Sequence, residues 1–260
     1  MPKAIEMMRK REEELLKAVE QLSKKTNVFT NPKLILIGGY GLRAYIPFSR
    51  YTRDCDFIVK KRNGWNLDHL KKIVPKDYSV EVEEKRGSYG FMRLIKFIKY
   101  DKIRVKVSLD FMEGEIRGRK PEEVVLIDEK MVEKSVLKTI QIADKNIKVR
   151  VPSYLDYFII KVVSSRPSDI RDIASLIHAN GIPKGLKERV KQILSYPEIF
   201  KIKIERKIIP EISKNTFLDS WRGIFATTKY TEKDRKNINT TATKIKTLTK
   251  LGEEKRYICC

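Results

Sequence analysis

Cysteine and histidine are nearly missing from this chain: of its 260 residues, three are cysteine and two are histidine. Cys55 lies between two aspartates, and Cys259 and Cys260 stand side by side, a spacing with neither a pairing nor a zinc-ligand pattern. A disulfide scaffold and a structural zinc site are therefore not expected, and a reducing, cytoplasmic setting fits. No run approaches the ~18 consecutive apolar residues of a membrane helix. Met1-Pro2-Lys3 opens a charged segment without the apolar core of a leader, so neither span nor leader is expected. Acidic charge is scarce relative to basic, with 34 Asp and Glu against 56 Lys and Arg, a formal net charge of +22. A thermophile surface is also dense in charge, but it mixes both signs. The imbalance points to a polyanionic partner, nucleic acid or nucleotide phosphate.

What is present is enough for one large or two modest domains. Ile5, Met8, Leu15, Leu16, Val19 and Leu22 recur at helical spacing, predicting an amphipathic helix over 3–25. Asn31-Pro32 breaks it. Leu34–Ile37 reads as a short strand ended by Gly38 and Gly39, followed by a short helix from Tyr40 to Tyr45 that stops near Pro47. Asp54–Val59 reads as a strand and 66–73 as a helix. Three strands are expected over 78–84, 91–100 and 103–111, the last two joined by a tight turn at Asp101-Lys102. A second hairpin is expected over 136–142 and 147–151. From Pro152 the periods turn helical, with Ser168 and Asp169 suited to a cap and Gly181 to a helix stop. The fold class is α/β (α+β): a mixed sheet with flanking helices over 1–151, then an all-helical domain over 152–260. The tail from Tyr230 reads as a loosely docked helix, and Trp221 with the aromatics of 217–230 as helical core.

The chemistry concentrates in Leu34-Ile-Leu-Ile-Gly-Gly-Tyr-Gly-Leu-Arg-Ala-Tyr45 and Arg50-Tyr-Thr-Arg-Asp-Cys-Asp-Phe-Ile58. Gly38 and Gly39 at a strand-to-helix turn let backbone N–H groups approach a phosphate closely. Asp54 and Asp56, two apart on a strand, point to one face about 7 Å apart. Such a pair is a hard-oxygen claw suited to Mg²⁺ or Mn²⁺. A purely structural strand would not place two repelling acids on one face beside apolar neighbours. A third carboxylate belongs on a neighbouring strand. Asp110 has that setting, because Ile103, Val105, Val107 and Leu109 alternate onto the opposite face; Glu113, which precedes Gly114 and reads as exit loop, is the competitor.

These residues resemble the DNA polymerase β-like nucleotidyltransferases, and among them the AbiEii-type toxins and their archaeal relatives. The resemblance is carried by the strand, Gly-Gly, helix, Arg-x-Thr-x-Asp-x-Asp-Phe order and the later strand Asp. Val151-Pro-Ser-Tyr-Leu-Asp-Tyr-Phe-Ile-Ile-Lys161, Ser165-Arg166 and Ser168-Asp-Ile-Arg-Asp-Ile-Ala-Ser-Leu176 are similar to that family's helical motif. It covers about residues 30–180.

The resemblance implies metal-dependent transfer of a nucleotide from NTP to a hydroxyl. Asp54, Asp56 and Asp110 would hold metal, Gly38 and Gly39 would cradle phosphate, and Arg50, Thr52, Lys161 and Arg166 would contact nucleotide, Lys161 also sharing in catalysis. Asp169 and Asp172 either support that site or serve their own helix start. Two positions depart from the pattern: Gly41, where relatives carry a small polar residue, Ala or Thr, and Ser168, where a basic residue is common. His69 and His178 are isolated and enter no site.

Three function classes compete on these features. The first is an enzyme acting on RNA, with a tRNA 3′ end as acceptor, as the toxin of a pair whose antitoxin is a partner protein; a small-molecule adenylyltransferase is its variant, which the basic balance disfavours. The second is a non-catalytic RNA-binding module on the same fold, which the intact acids disfavour. The third is a structural interaction protein that pairs through the helix over 3–25, which the lack of a sustained heptad disfavours.

Overall fold

The computed structural model describes residues 3–46 and 50–249. The chain separates into two compact units, Met1–Arg117 with Val125–Tyr157 and Gly118–Val124 with Phe158–Cys260. The first holds a five-stranded mixed sheet. Its strands are β1 (Ile35–Leu36), β2 (Asp54–Val59), β3 (Ser79–Arg86), β4 (Tyr89–Tyr100) and β5 (Ile103–Glu113), in the order β1-β2-β5-β4-β3. β2 runs parallel to β5, and the remaining pairs are antiparallel.

Alternation along the strands decides which face is buried. Cys55, Phe57, Val59, Met92, Leu94, Val107, Leu109 and Phe111 turn to one side and are buried there. Leu15, Leu16, Val19 and Leu22 of α1 (Lys3–Lys25) and Leu67 and Leu70 of α3 (Asn66–Ile73) belong to the same core. Phe57 stacks between Phe29 and Phe111, with ring centroids 5.8 and 5.6 Å away. The buried apolar residues of α1 begin at Leu15, and Ile5, on the same stripe, is exposed.

Two strand expectations need correction. The apolar run at 34–37 keeps only Ile35 and Leu36 in the sheet, because Gly38 already opens α2 (Gly38–Leu42) at positive φ. Glu113 is the last residue of β5, not exit loop; its position opposite Val59 extends the parallel pair. The expected stop near Pro47 lies outside the described residues. Two short strands, β6 (Glu115–Arg117) and β7 (Val124–Leu126), and a helix α4 (Glu129–Glu133) precede the hairpin of β8 (Val136–Ile142) and β9 (Lys145–Val151).

The second unit is helical. α5 (Tyr154–Ser164) leads into it, followed by α6 (Pro167–Asn180), α7 (Leu186–Ile193) and α8 (Glu198–Lys203). A π-helical turn (Ile204–Ile208) then joins α8 to α9 (Ile209–Ile212), before α10 (Phe217–Ile224) and α11 (Glu232–Leu248). Trp221 and Tyr230 stack at 3.6 Å and both donate to the Ser175 hydroxyl, so these aromatics are core, as their spacing suggested. The cap of α6 is Arg166, with Pro167 opening the helix; Asp169 is the third helical residue and closes a capping box, so Ser168 is not the cap. The tail beyond Tyr230 forms α11 as far as Leu248; Cys259 and Cys260 lie outside the described residues.

Candidate active site

β2 and β5 place the acids. Their parallel register sets Asp56 beside Asp110 and Asp54 beside Ser108, all on the face opposite the core. One carboxylate oxygen from each of Asp54, Asp56 and Asp110 lies within 4.8 Å of the other two. Three hard anionic oxygens at that separation can hold a divalent cation. Glu113 is excluded from this cluster by strand alternation. It points into the core face, wholly buried, and its two oxygens accept from the backbone N–H groups of Asn66 and Leu67 and the Asn66 side chain. It caps α3, where a carboxylate also suits the helix dipole.

Cys55 faces the core between the two acids. Burial and the flanking carboxylates push its thiol well above its ordinary value, so it is inert there.

The glycines are shaped to the acids. Gly38 has φ +65°, and a Cβ on it would come within 1.9 Å of Asp56 Oδ2. Gly39 backs onto Thr52, whose Cβ would lie 2.8 Å from a side chain there. The Thr52 hydroxyl donates to Asp54 Oδ1 at 3.0 Å, and Tyr157 donates to the Gly38 carbonyl at 2.6 Å. Gly41 also has a local cause: an added Cβ would stand 3.0 Å from the Leu36 carbonyl and 3.1 Å from the Tyr157 ring.

Gly38→Ala is therefore expected to lower stability by about 1–2 kcal/mol, from the left-handed backbone. It should also displace Asp56 and cut nucleotide transfer about 100-fold, the usual cost of misplacing a reacting group by an ångström. Melting curves and rate assays on the variant check both; wild-type activity would show that the glycine does not set the carboxylate.

Arg93 was missed by inspection of the motifs. It stands opposite Asp110 on β4, and its guanidinium forks onto both carboxylate oxygens at 2.8 and 2.6 Å. The pair orients Asp110 and offsets part of the negative charge of the cluster.

Arg50 follows the undescribed residues 47–49, and its carbonyl accepts from Arg43, which also pairs with buried Glu12 on α1. In the second unit, Lys161 is buried and donates to Asp169 Oδ1 at 2.9 Å and Asp172 Oδ2 at 2.8 Å. Arg166 reaches Asp169 Oδ2 at 2.8 Å, with its side chain about half exposed. Burial alone would raise the Asp169 carboxyl, but the Lys161 ammonium and the Arg166 guanidinium outweigh it and hold the group well below the ordinary range. His178 is exposed at the edge of the helical unit, against Trp221, Tyr230 and Asp234, and among the described residues belongs to no cluster of acids.

The mixed sheet with its acid triad defines a nucleotidyltransferase class of fold. Residues 22–244 match the family model described as Nucleotidyl transferase AbiEii toxin, Type IV TA system. The chain belongs to this family of nucleotidyltransferase toxins, and membership implies a nucleotide substrate and an antitoxin counterpart. Two solved structures from Helicobacter pylori are similar. One is a protein assigned as a nucleotidyltransferase, at 13% identity, 92% coverage of this chain, 94% of that chain and a TM-score of 0.46. The other is JHP933, at 13% identity, 91% and 94% coverage and a TM-score of 0.47. No curated protein matches. Among the described residues, no helix is long and apolar enough to cross a membrane.

Proposed function

We propose that this chain transfers a nucleotide from a nucleoside triphosphate to a hydroxyl of RNA, with a tRNA 3′ end as acceptor, and acts as the toxin of a toxin–antitoxin pair. The observation that carries the reading is the convergence of Asp54, Asp56 and Asp110 on one sheet face beside Gly38. Hard oxygen donors fit Mg²⁺ or Mn²⁺ and not a soft metal. Asp54, Asp56 and Asp110 would hold the metal, which when bound supplies Lewis acidity toward the phosphate oxygens and the attacking hydroxyl. The chain's own part is positional. Thr52 and Gly38 fix the first two carboxylates, and Arg93 orients the third. Gly38 and Gly39 leave room for phosphate at the start of α2. Arg50 offsets triphosphate charge, while Lys161 and Arg166 maintain the helical motif around Asp169 and Asp172. In the reaction, the acceptor oxygen bonds the α-phosphorus and its hydrogen is lost to water as a proton. The bond to the bridging oxygen breaks, and pyrophosphate leaves. The charge of +22 suits an RNA acceptor better than a cationic small molecule.

The test is incorporation of each α-labelled NTP into total cellular RNA with Mg²⁺ or Mn²⁺, with Asp54→Asn alongside. Label in a discrete RNA band, lost in the variant, is the expected result. No label from any NTP would remove RNA as the acceptor.

A further inference from the structure

The face that carries the acids continues well beyond them. On β4, Tyr89, Phe91, Arg93, Ile95, Phe97 and Lys99 alternate onto the triad side, since Arg93 meets Asp110 and antiparallel partners share a face. From β5, Arg104 and Lys106 join them. The helices α1 and α3 pack on the other face, so this one is free of them. Phe97 is 47% exposed, and the Arg104 guanidinium lies over its ring, 4.4 Å from the centroid. Arg93 lies over Phe91 at 5.6 Å and Arg117 over Tyr89 at 4.1 Å.

Three rings of β4 on this face, Tyr89, Phe91 and Phe97, thus each carry a guanidinium, and Asp110 lies opposite Arg93 between Phe91 and Phe97. Arg86, Lys99 and Arg104 are exposed and have no acidic partner among the described residues. Of the acids contributed by β3, Glu81 is held by Lys106, and Glu84 stands opposite Phe91.

We propose that this open sheet face is a platform for single-stranded RNA, on which the acceptor strand lies along β4 with bases stacked on Phe97 and Phe91. The proposal rests on the RNA-acceptor reading above and places the acceptor. Phe91 and Phe97 are six residues apart, roughly 20 Å on a strand, which flanks the Arg93–Asp110 pair on both sides. A paired duplex offers no free base faces to stack, whereas unpaired bases stack on aromatic rings and on guanidinium planes alike. Arg86, Lys99 and Arg104 supply the backbone contacts. Charge decides against a second copy of this chain as occupant, because two chains of +22 would meet cation to cation.

The probe is a fluorescein-labelled twelve-nucleotide single-stranded RNA read by anisotropy, with the same strand annealed into duplex as comparison. Phe97→Ala is expected to weaken binding of the single strand roughly tenfold, the loss of one stacked base. Phe97→Trp should retain the affinity. Arg104→Ala should flatten the salt dependence by somewhat less than one ion, about 0.7 for each phosphate it no longer neutralises. Lys184→Ala, an equal charge loss on the helical unit, should leave single-strand binding within about twofold. Single-strand affinity unchanged in a Phe97→Ala/Arg104→Ala double variant would overturn the platform. So would equal binding of strand and duplex, or no binding of the strand by the intact protein. NTP incorporation run in parallel separates the two ideas: labelled RNA with an indifferent double variant rejects the platform alone. A platform that binds RNA without any labelling rejects the acceptor role.

Discussion

Asp54→Asn is expected to reduce nucleotide transfer about 1000-fold, a barrier increase of roughly 4 kcal/mol, while the protein stays folded. Asparagine has nearly the shape of aspartate and keeps one oxygen that can accept from the Thr52 hydroxyl, so the strand has no cause to move. What it loses is a negative charge from a set of three, and with it the donor strength that a hard divalent cation requires. The stability change should be small or slightly favourable, because removing one of three crowded anions relieves repulsion in the metal-free protein. The same change should raise the Mg²⁺ concentration needed for half-maximal rate. Single-turnover rates across a Mg²⁺ titration, with melting curves on the same samples, check both halves. Activity within threefold of wild type would place the metal elsewhere.

The sequence made the acid cluster legible unevenly. Asp54 and Asp56 announce themselves because a strand puts alternate residues on one face, and their apolar neighbours Cys55 and Phe57 need the other. Asp110 was recoverable from the alternation Ile103, Val105, Val107, Leu109, which is also why Glu113, odd-numbered like them, turns inward to cap α3. Arg93 was within reach and was missed. A two-residue turn at Asp101-Lys102 pairs Tyr100 with Ile103, and seven steps back along β4 and forward along β5 put Arg93 opposite Asp110. The boundaries of α1, β2 and α3 follow the spacing of apolar residues closely. Less legible were β1, where an apolar run gives way early to a glycine-opened helix, and α6, where Arg166 with Pro167 outcompetes Ser168 as the start. The first depends on a distant residue, Asp56 beside Gly38, and the second on Asp169, which closes the box on Arg166 and is paired with Lys161 eight residues before it.

Lys161→Met is expected to destabilise the protein by about 3–5 kcal/mol, the cost of leaving buried charge uncompensated. Lysine in the run Phe158-Ile-Ile-Lys-Val162 signalled a carboxylate partner by its apolar company, and the structure supplies two, Asp169 and Asp172, both fully buried. Methionine fills nearly the same volume, so the change isolates charge from packing. Melting should fall by roughly 10–20 °C. The pH dependence follows from Asp169, whose carboxyl is held below its ordinary value of 3.8 in the folded chain. As pH falls, the unfolded chain takes up that proton first, so the stabilisation is complete above the ordinary value and drains away as pH drops through the folded one. The gap in stability between wild type and Lys161→Met should hold steady from neutral pH to about pH 5 and narrow below it. Denaturant titrations at a series of pH values measure that gap directly. A loss under 1 kcal/mol at neutral pH would mean that Asp169 and Asp172 find other partners when the ammonium is gone; Arg166, already on Asp169 with half its side chain exposed, is the nearest to serve.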